Sequence, residues 1–252
     1  MRLCGFLPLF LLASIVPVYA ADEACPKTLA GQFRVPDYPL ETVDIRALTP
    51  DDLAKLTPAA EAAIWDEEEA EEAHAIYQRK QVVDKLITVL SLPVTVPMAA
   101  VLAVAVRLDS GGPVFFLQKR VGYRGKPFTI YKFRTMNDLP DGSKEITRIG
   151  RVLRRLHIDE LPQLLNVLIG NMSLVGPRPH VPEEIDRHTD QFRQTPLRLL
   201  ALPGMLGSAG IICAYNEDPK THLEHDLAYV KNPSFWHDIK ILAAMIGLIP
   251  KR

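Results

Sequence analysis

The sequence predicts an α+β domain, helix-rich with a few short strands, attached to a membrane helix broken by proline. Three observations lead there: an uncharged apolar run at residues 86–106, two short β patterns divided by glycine and proline soon after it, and amphipathic or apolar helical stretches beyond. A chain of 252 residues can bury one sizeable core with accessory segments. Four stretches organise it: a signal-like or anchor segment at 1–21, a Pro-rich linker at 22–60, an acidic helix with the membrane helix at 61–108, and the α+β domain at 109–252.

Arg2 precedes an apolar run that ends at Val18-Tyr19-Ala20 before Ala21, which fits a small-x-small cleavage signal. The same residues reach the lower length for a bilayer anchor, so both forms stay open. The linker carries turn signals at Cys25-Pro26, Val35-Pro36, Tyr38-Pro39, Thr49-Pro50 and Thr57-Pro58. From Ala59 to about Arg79 the Ala and Glu content predicts a helix whose acidic first turns suit the positive end of the helix dipole. About 21 uncharged residues rising about 1.5 Å each would then cross a hydrocarbon core. Pro93 and Pro97 lie inside that run, and each removes a backbone hydrogen bond, so a bent helix is expected. A kinked spanning helix and a re-entrant hairpin both satisfy this pattern.

After the turn at Gly111-Gly112-Pro113, residues 114–117 and 128–131 read as strands with Gly122, Gly125 and Pro127 between them. The second runs into Lys132-Phe133-Arg134-Thr135-Met136, placing two cations and a hydroxyl at a strand end, where small α/β units hold ligands. Residues 147–156 form a cationic amphipathic stretch, followed by Asp159-Glu160-Leu161-Pro162-Gln163 and an apolar helix to Ile169. Pro162 places Asp159 at a helix N-cap, because proline is tolerated in the first turn. Adjacent carboxylates at a cap can turn toward one ligand, and free amides there favour the ionised form, which suits a nucleophile or a magnesium ligand. A plain helix cap explains the same pair. Farther on, the Pro177-Arg178-Pro179 turn presents a stiffly held guanidinium suited to bidentate phosphate binding.

The formal charge of -1 argues against a general nucleic-acid binder, but it hides a separation along the chain. Acids crowd residues 61–72, whereas residues 119–155 carry eleven Lys and Arg opposed only by Asp138, Asp141 and Glu145. Such a run suits phosphate ligands or the anionic face of a membrane lipid layer; a solvated surface is the bland alternative. Cys4, Cys25 and Cys213 form no CxxC pair, so neither a zinc site nor a disulfide framework is indicated. His222-Leu223-Glu224-His225 has metal-like spacing but no evident third ligand, and reads as a solvated helix face. Phe235-Trp236 and the apolar positions after them look amphipathic and could touch lipid together with Lys251-Arg252; core residues would show the same pattern.

Taken in order, five blocks resemble the monotopic phosphoglycosyl transferases, the bacterial sugar transferases that start exopolysaccharide, O-antigen and glycoprotein glycan assembly. They are Gly112-Pro113-Val114-Phe115-Phe116, Gln118-Lys119-Arg120-Val121-Gly122, Lys132-Phe133-Arg134-Thr135-Met136, Asp159-Glu160-Leu161-Pro162-Gln163 and Val175-Gly176-Pro177-Arg178-Pro179. Asp226, Tyr229-Val230, Asn232, Ser234 and Asp238 keep the family's closing pattern. The resemblance implies transfer of a sugar phosphate from a nucleoside diphosphate sugar, commonly a UDP-sugar, to polyprenyl phosphate, with Mg2+ as cofactor. It implies that Asp159 attacks phosphorus and forms a covalent phosphosugar while UMP leaves, and that Glu160 with Asp159 holds the metal. Lys132, Arg134, Arg178 and Arg120 are the expected phosphate-binding cations. The resemblance also implies a re-entrant helix broken at Pro97, with Pro93 as an added break, and a catalytic domain on the cytoplasmic face of the bacterial inner membrane. Later glycosyltransferases are possible partners; nucleic acid is not expected.

Two departures stand out. Val96 precedes Pro97 where the family has Ser, and Gly210 replaces a Gln in the loop at residues 203–211, which points to altered substrate recognition. The alternatives to an enzyme are a catalytically silent membrane scaffold of the same fold and a peripheral binder of anionic lipid. Neither explains two acids at a helix start beside so many cations.

Overall fold

The computed structural model describes residues 58–207 and 219–245. The segment at 1–21, nearly all of the linker, Gly210 with the rest of its loop beyond Gly207, and Lys251-Arg252 lie outside the described residues.

Helix α1 spans Pro58–Ala62 and helix α2 spans Glu67–Ser110. The single helix expected from Ala59 is therefore split, and the reason is Asp66. Its carboxylate accepts from the Glu69 amide at 2.8 Å while Glu69 accepts from the Asp66 amide at 3.1 Å, a capping box that starts α2 afresh. α2 then continues through the apolar run to a left-handed cap at Gly111, φ 65°. It passes Pro93 and Pro97 without interruption, so the break expected there is not a gap in the helix. Each proline costs one rung of the ladder and leaves the rest in place. Thr88 and Thr95 back-bond to carbonyls one turn earlier, at 2.8 and 3.0 Å.

Strands β1 (Phe115–Val121) and β2 (Pro127–Phe133) form an antiparallel hairpin in register from Phe115 opposite Phe133 to Val121 opposite Pro127. Both strands extend beyond the four residues expected of each. A second antiparallel pair, β3 (Met136–Asp138) with β4 (Lys144–Ile146), was not expected; each strand is only three residues long, with one apolar residue and no buried one. Helix α3 spans Arg148–Arg155 and is capped by the Thr147 hydroxyl. A 3-10 turn, Ile158–Gln163, leads into α4, Leu164–Ile169. Then come β5 (Ser173–Gly176), α5 (Pro182–Gln191), a second 3-10 turn (Thr195–Leu200) and β6 (Gly204–Gly207), which pairs parallel with β5. Helices α6 (Pro219–Lys231) and α7 (Phe235–Met245) complete the described fold. This is an α+β architecture with one long apolar helix.

Two apolar clusters hold it together. Trp65, Tyr77, Leu197, Leu227, Val230 and Ile241 join α1 and the start of α2 to the C-terminal helices. The acidic helix is thus docked: Trp65 Nε1 donates to the Lys231 carbonyl at 3.3 Å and Tyr77 to the Val230 carbonyl at 3.3 Å. The second cluster, with Ile130, Phe133, Leu153, Leu164 and Val167, lies between β2, α3 and α4, and Ile87, Met98 and Leu102 of α2 flank it. Full burial of each such side chain contributes about 1.5–3 kcal/mol. On α6, His225 is buried, so the solvated face expected for the two histidines does not hold; the pair straddles the core boundary. On α7, Trp236 is exposed while Ile241 is buried, which fits the expected amphipathic pattern.

Asn166 locks β2 to α4. Its Oδ1 accepts from the Tyr131 amide at 3.2 Å, its Nδ2 donates to the Thr129 carbonyl at 2.7 Å, and the side chain is fully buried. Asn166→Ala leaves two half-buried strand groups unpaired and is expected to lower stability by about 2–4 kcal/mol, measured by denaturant unfolding.

Candidate active site

The site forms where the end of β2, the 3-10 turn at residues 158–163 and the turn after β5 meet. His157 sets the geometry of the middle element. It is left-handed at φ 54° and occupies the cap position, two residues earlier than the N-cap expected at Asp159, which puts Asp159 and Glu160 inside the first turn. Both carboxylates still stand at a helix start.

Lys132 Nζ reaches Glu160 Oε1 at 2.6 Å, and Arg178 Nη2 reaches the same oxygen at 2.9 Å. Cations 46 residues apart therefore share one carboxylate oxygen. Burial alone would push the Glu160 carboxyl up, but Arg178 and Lys132 together outweigh it and hold it below the usual carboxylate range. Its neighbour behaves in the opposite way. Burial and then the Glu160 charge push Asp159 up, with Lys132 and His157 opposing only in part. Among the described residues Glu160, not Asp159, takes the two ion pairs.

Arg178 is held from several sides. Gly176 and Gly204 lie so close that a Cβ on Gly204 would stand 2.1 Å from the Gly176 nitrogen, so only glycine permits this strand contact. The Gly204 amide donates to the Pro177 carbonyl at 2.9 Å, and Arg198 Nη2 donates to the Arg178 carbonyl at 3.1 Å. Arg198 is itself buried in an ion pair with Asp226. Arg120 donates to the Pro179 carbonyl at 3.1 Å and lies 3.6 Å from Glu184, so it adjoins the turn without bonding to Glu160. His180 accepts from the Val121 amide through its carbonyl, and its ring lies 3.0 Å from Glu184. Burial, then Arg198 and the neighbouring positive groups, push His180 down to about 2, so its imidazole is neutral.

Arg134 is not brought to Glu160. Its Nε donates to the Met136 carbonyl at 2.9 Å and its Nη2 lies 3.5 Å from Asp138. Arg198 and Asn166 escaped the sequence reading; the available signals were a charge inside the apolar run Leu197 to Leu200 and an amide inside Leu164 to Ile169. Among the described residues no group of three or more His, Cys, Asp or Glu side chains could by itself hold a metal. Two adjacent carboxylates nevertheless fit magnesium, which binds through one or two carboxylates and completes its shell with water and substrate phosphate.

The family model for the bacterial sugar transferases matches residues 75–252. This chain belongs to the bacterial sugar transferase family. Among similar family members is the UDP-N-acetylgalactosamine-undecaprenyl-phosphate N-acetylgalactosaminephosphotransferase of Aeromonas hydrophila, 39% identical over 182 residues, covering 68% of this chain and 43% of the relative. The UDP-glucose:undecaprenyl-phosphate glucose-1-phosphate transferase of Caulobacter vibrioides is 39% identical over 182 residues, covering 67% and 68%. The Escherichia coli transferase of the same name is 38% identical over 181 residues, covering 65% and 38%. The chain thus spans less than half the length of two of these three sugar transferases.

The two carboxylates of this family member should show opposite stability signatures. Glu160, held down in the folded state, contributes stability above the ordinary glutamate range that is lost as pH falls through its folded value. Asp159, pushed up, opposes folding at neutral pH, and that penalty disappears as pH falls through its raised value. Thermal unfolding at pH 7 should find Asp159→Asn more stable than wild type and Glu160→Gln less stable, by about 1–3 kcal/mol for the latter. The Asp159→Asn gain should shrink toward pH 4.

Proposed function

We propose that the chain transfers a sugar phosphate from a nucleoside diphosphate sugar of the UDP class to undecaprenyl phosphate, starting polysaccharide or glycoconjugate assembly. One observation carries this reading: Asp159, whose proton affinity is raised by burial, stands beside a Glu160 that already holds Lys132 and Arg178. The names of the relatives support the substrate pair, since each joins a UDP-sugar to undecaprenyl phosphate.

In this scheme the Asp159 carboxylate attacks the sugar-side phosphorus of the donor. The P–O bond to the nucleotide breaks, UMP leaves, and an acyl phosphosugar remains on Asp159. A phosphate oxygen of the polyprenyl acceptor then attacks the same phosphorus and releases Asp159 as carboxylate. A desolvated carboxylate is more basic and hence a better nucleophile than a hydrated one, and the anion it must approach needs nearby positive charge. Lys132 and Arg178 supply that charge, and Arg120 supports the turn that carries Arg178. Magnesium, held by Glu160 and Asp159 with the donor's phosphates, would neutralise diphosphate charge.

Residues 86–106 would enter the bacterial inner membrane and return to the cytoplasmic face, with Pro97 and Pro93 as the places where the continuous helix would bend. Two features support one-sided attachment. Both flanks of the apolar run bond to the same domain, Asp84 to Ser173 and Asp109 to the Ile149 amide at 2.7 Å. Between them Leu90, Val101 and Val104 leave an apolar stripe open for membrane lipid. The product, a lipid-linked sugar, would pass to later glycosyltransferases.

The test is UMP release by detergent-solubilised protein with magnesium, undecaprenyl phosphate and a panel of UDP-sugars. Wild type should release UMP from at least one donor. Asp159→Asn should lose about 1,000-fold or more while staying folded, and Arg178→Ala should raise the donor KM about tenfold. Release unaffected by Asp159→Asn contradicts the mechanism; no release from any donor favours the silent scaffold.

A further inference from the structure

A cluster of buried charged and polar side chains lies away from the reaction centre, at the point where α2 changes from docked helix to apolar run. Lys80, Asp84, Tyr229 and Asp238 are each nearly inaccessible to solvent, and they come from α2, α6 and α7. Lys80 pairs with Asp238 and lies 3.7 Å from Asp84. The Tyr229 hydroxyl stands 2.9 Å from the other Asp238 oxygen.

All the contacts this cluster makes with the sheet fall on one strand. The Asp84 carboxylate accepts from the Ser173 hydroxyl and from the Leu174 amide at 3.2 Å, and the Tyr229 hydroxyl lies 3.2 Å from the Val175 carbonyl. Among the described residues strand β5 pairs with β6 alone. Its other edge would leave the Leu174 amide as a buried unpaired donor if the Asp84 carboxylate were not there. Three consecutive residues, Ser173, Leu174 and Val175, are thereby gripped, and the chain leaves them directly into Gly176-Pro177-Arg178. The two prolines flanking Arg178 carry the position of the strand to the guanidinium with little slack.

We infer that Asp84 is a positioning residue for Arg178, fixing the register and tilt of β5 through Ser173 and Leu174, with Lys80 and Asp238 holding Asp84 in place. Lys80, in a site closed to water, is paired with Asp238 and has Asp84 as a second carboxylate neighbour, so the three side chains hold one another in place. This joins the root of the apolar helix to the phosphate-binding turn, and it rests on the phosphate role proposed above for Arg178.

The test is a double-mutant cycle in the full chain. Asp84→Asn keeps the shape of the acceptor, and Ser173→Ala removes one hydroxyl without burying a charge, so a folded variant is at hand even where the first is unstable. Each is expected to raise the UDP-sugar KM about tenfold with kcat changed less than twofold, and to add nothing further in an Arg178→Ala background. Effects that multiply with Arg178→Ala, or a fall in kcat at unchanged KM, overturn the inference. Hydrogen exchange across residues 173–180 gives a second readout that needs no turnover: faster exchange there in both variants, at unchanged rates in α3 and α4, supports the strand grip, and unchanged exchange overturns it. Absence of UMP release from wild type would sink the functional reading and leave the strand grip to be decided by exchange.

Discussion

The site depends on one shared ion pair: Glu160 Oε1 facing both Lys132 and Arg178. A carboxylate this enclosed stays ionised only because two cations converge on it, and those cations stay close together only because the carboxylate separates their charges. Removing any one of the three leaves an imbalance in a half-closed site. The arrangement also explains how neighbouring acids in one 3-10 turn come to differ. Glu160 takes the positive charge and is held down, while Asp159 receives burial and the negative charge of Glu160 and is pushed up. Two neighbouring carboxyl groups thereby come to sit in different electrostatic surroundings, one paired with two cations and one desolvated beside an anion.

Everything around this triad serves to bring its members together. Lys132 is placed by β2, which Asn166 ties to α4 through both halves of its amide. Arg178 is placed by a turn gripped through Arg198 and Asp226 on one side and through β5 on the other. The close contact of Gly176 with Gly204 removes the remaining freedom. The apolar helix is part of the same framework, because Asp84 sits at its root and bonds to the strand that carries the arginine. The apolar helix and the Pro177-Arg178-Pro179 turn are in this way connected through β5.

Much of this was legible in the sequence where the signal was local. Asp159 with Glu160, and Arg178 between prolines, announce themselves by adjacency, and both strands of the first hairpin follow from glycine and proline placement. The misreadings have local causes too. Asp159 was expected at a cap because Pro162 limits where a helix can start, but the left-handed His157 takes that position. Lys132 and Arg134 both follow from the strand end at which they stand, but β2 ends at Phe133 and Arg134 turns to Met136 and Asp138 while Lys132 reaches Glu160. What the sequence could not carry is long-range pairing: Lys132 with Glu160, Arg198 with Asp226 and Lys80 with Asp238 are joined only by the folded chain.

The central claim, that Asp159 becomes covalently linked to a sugar phosphate, is tested most directly by intact-protein and peptide mass spectrometry. The purified protein would be quenched in acid after brief exposure to a productive UDP-sugar, magnesium and no polyprenyl acceptor. A mass increase of one sugar phosphate on the peptide containing Asp159, removed when undecaprenyl phosphate is added before the quench, is the predicted result. UMP released without any adduct, or an adduct on another residue, would contradict it.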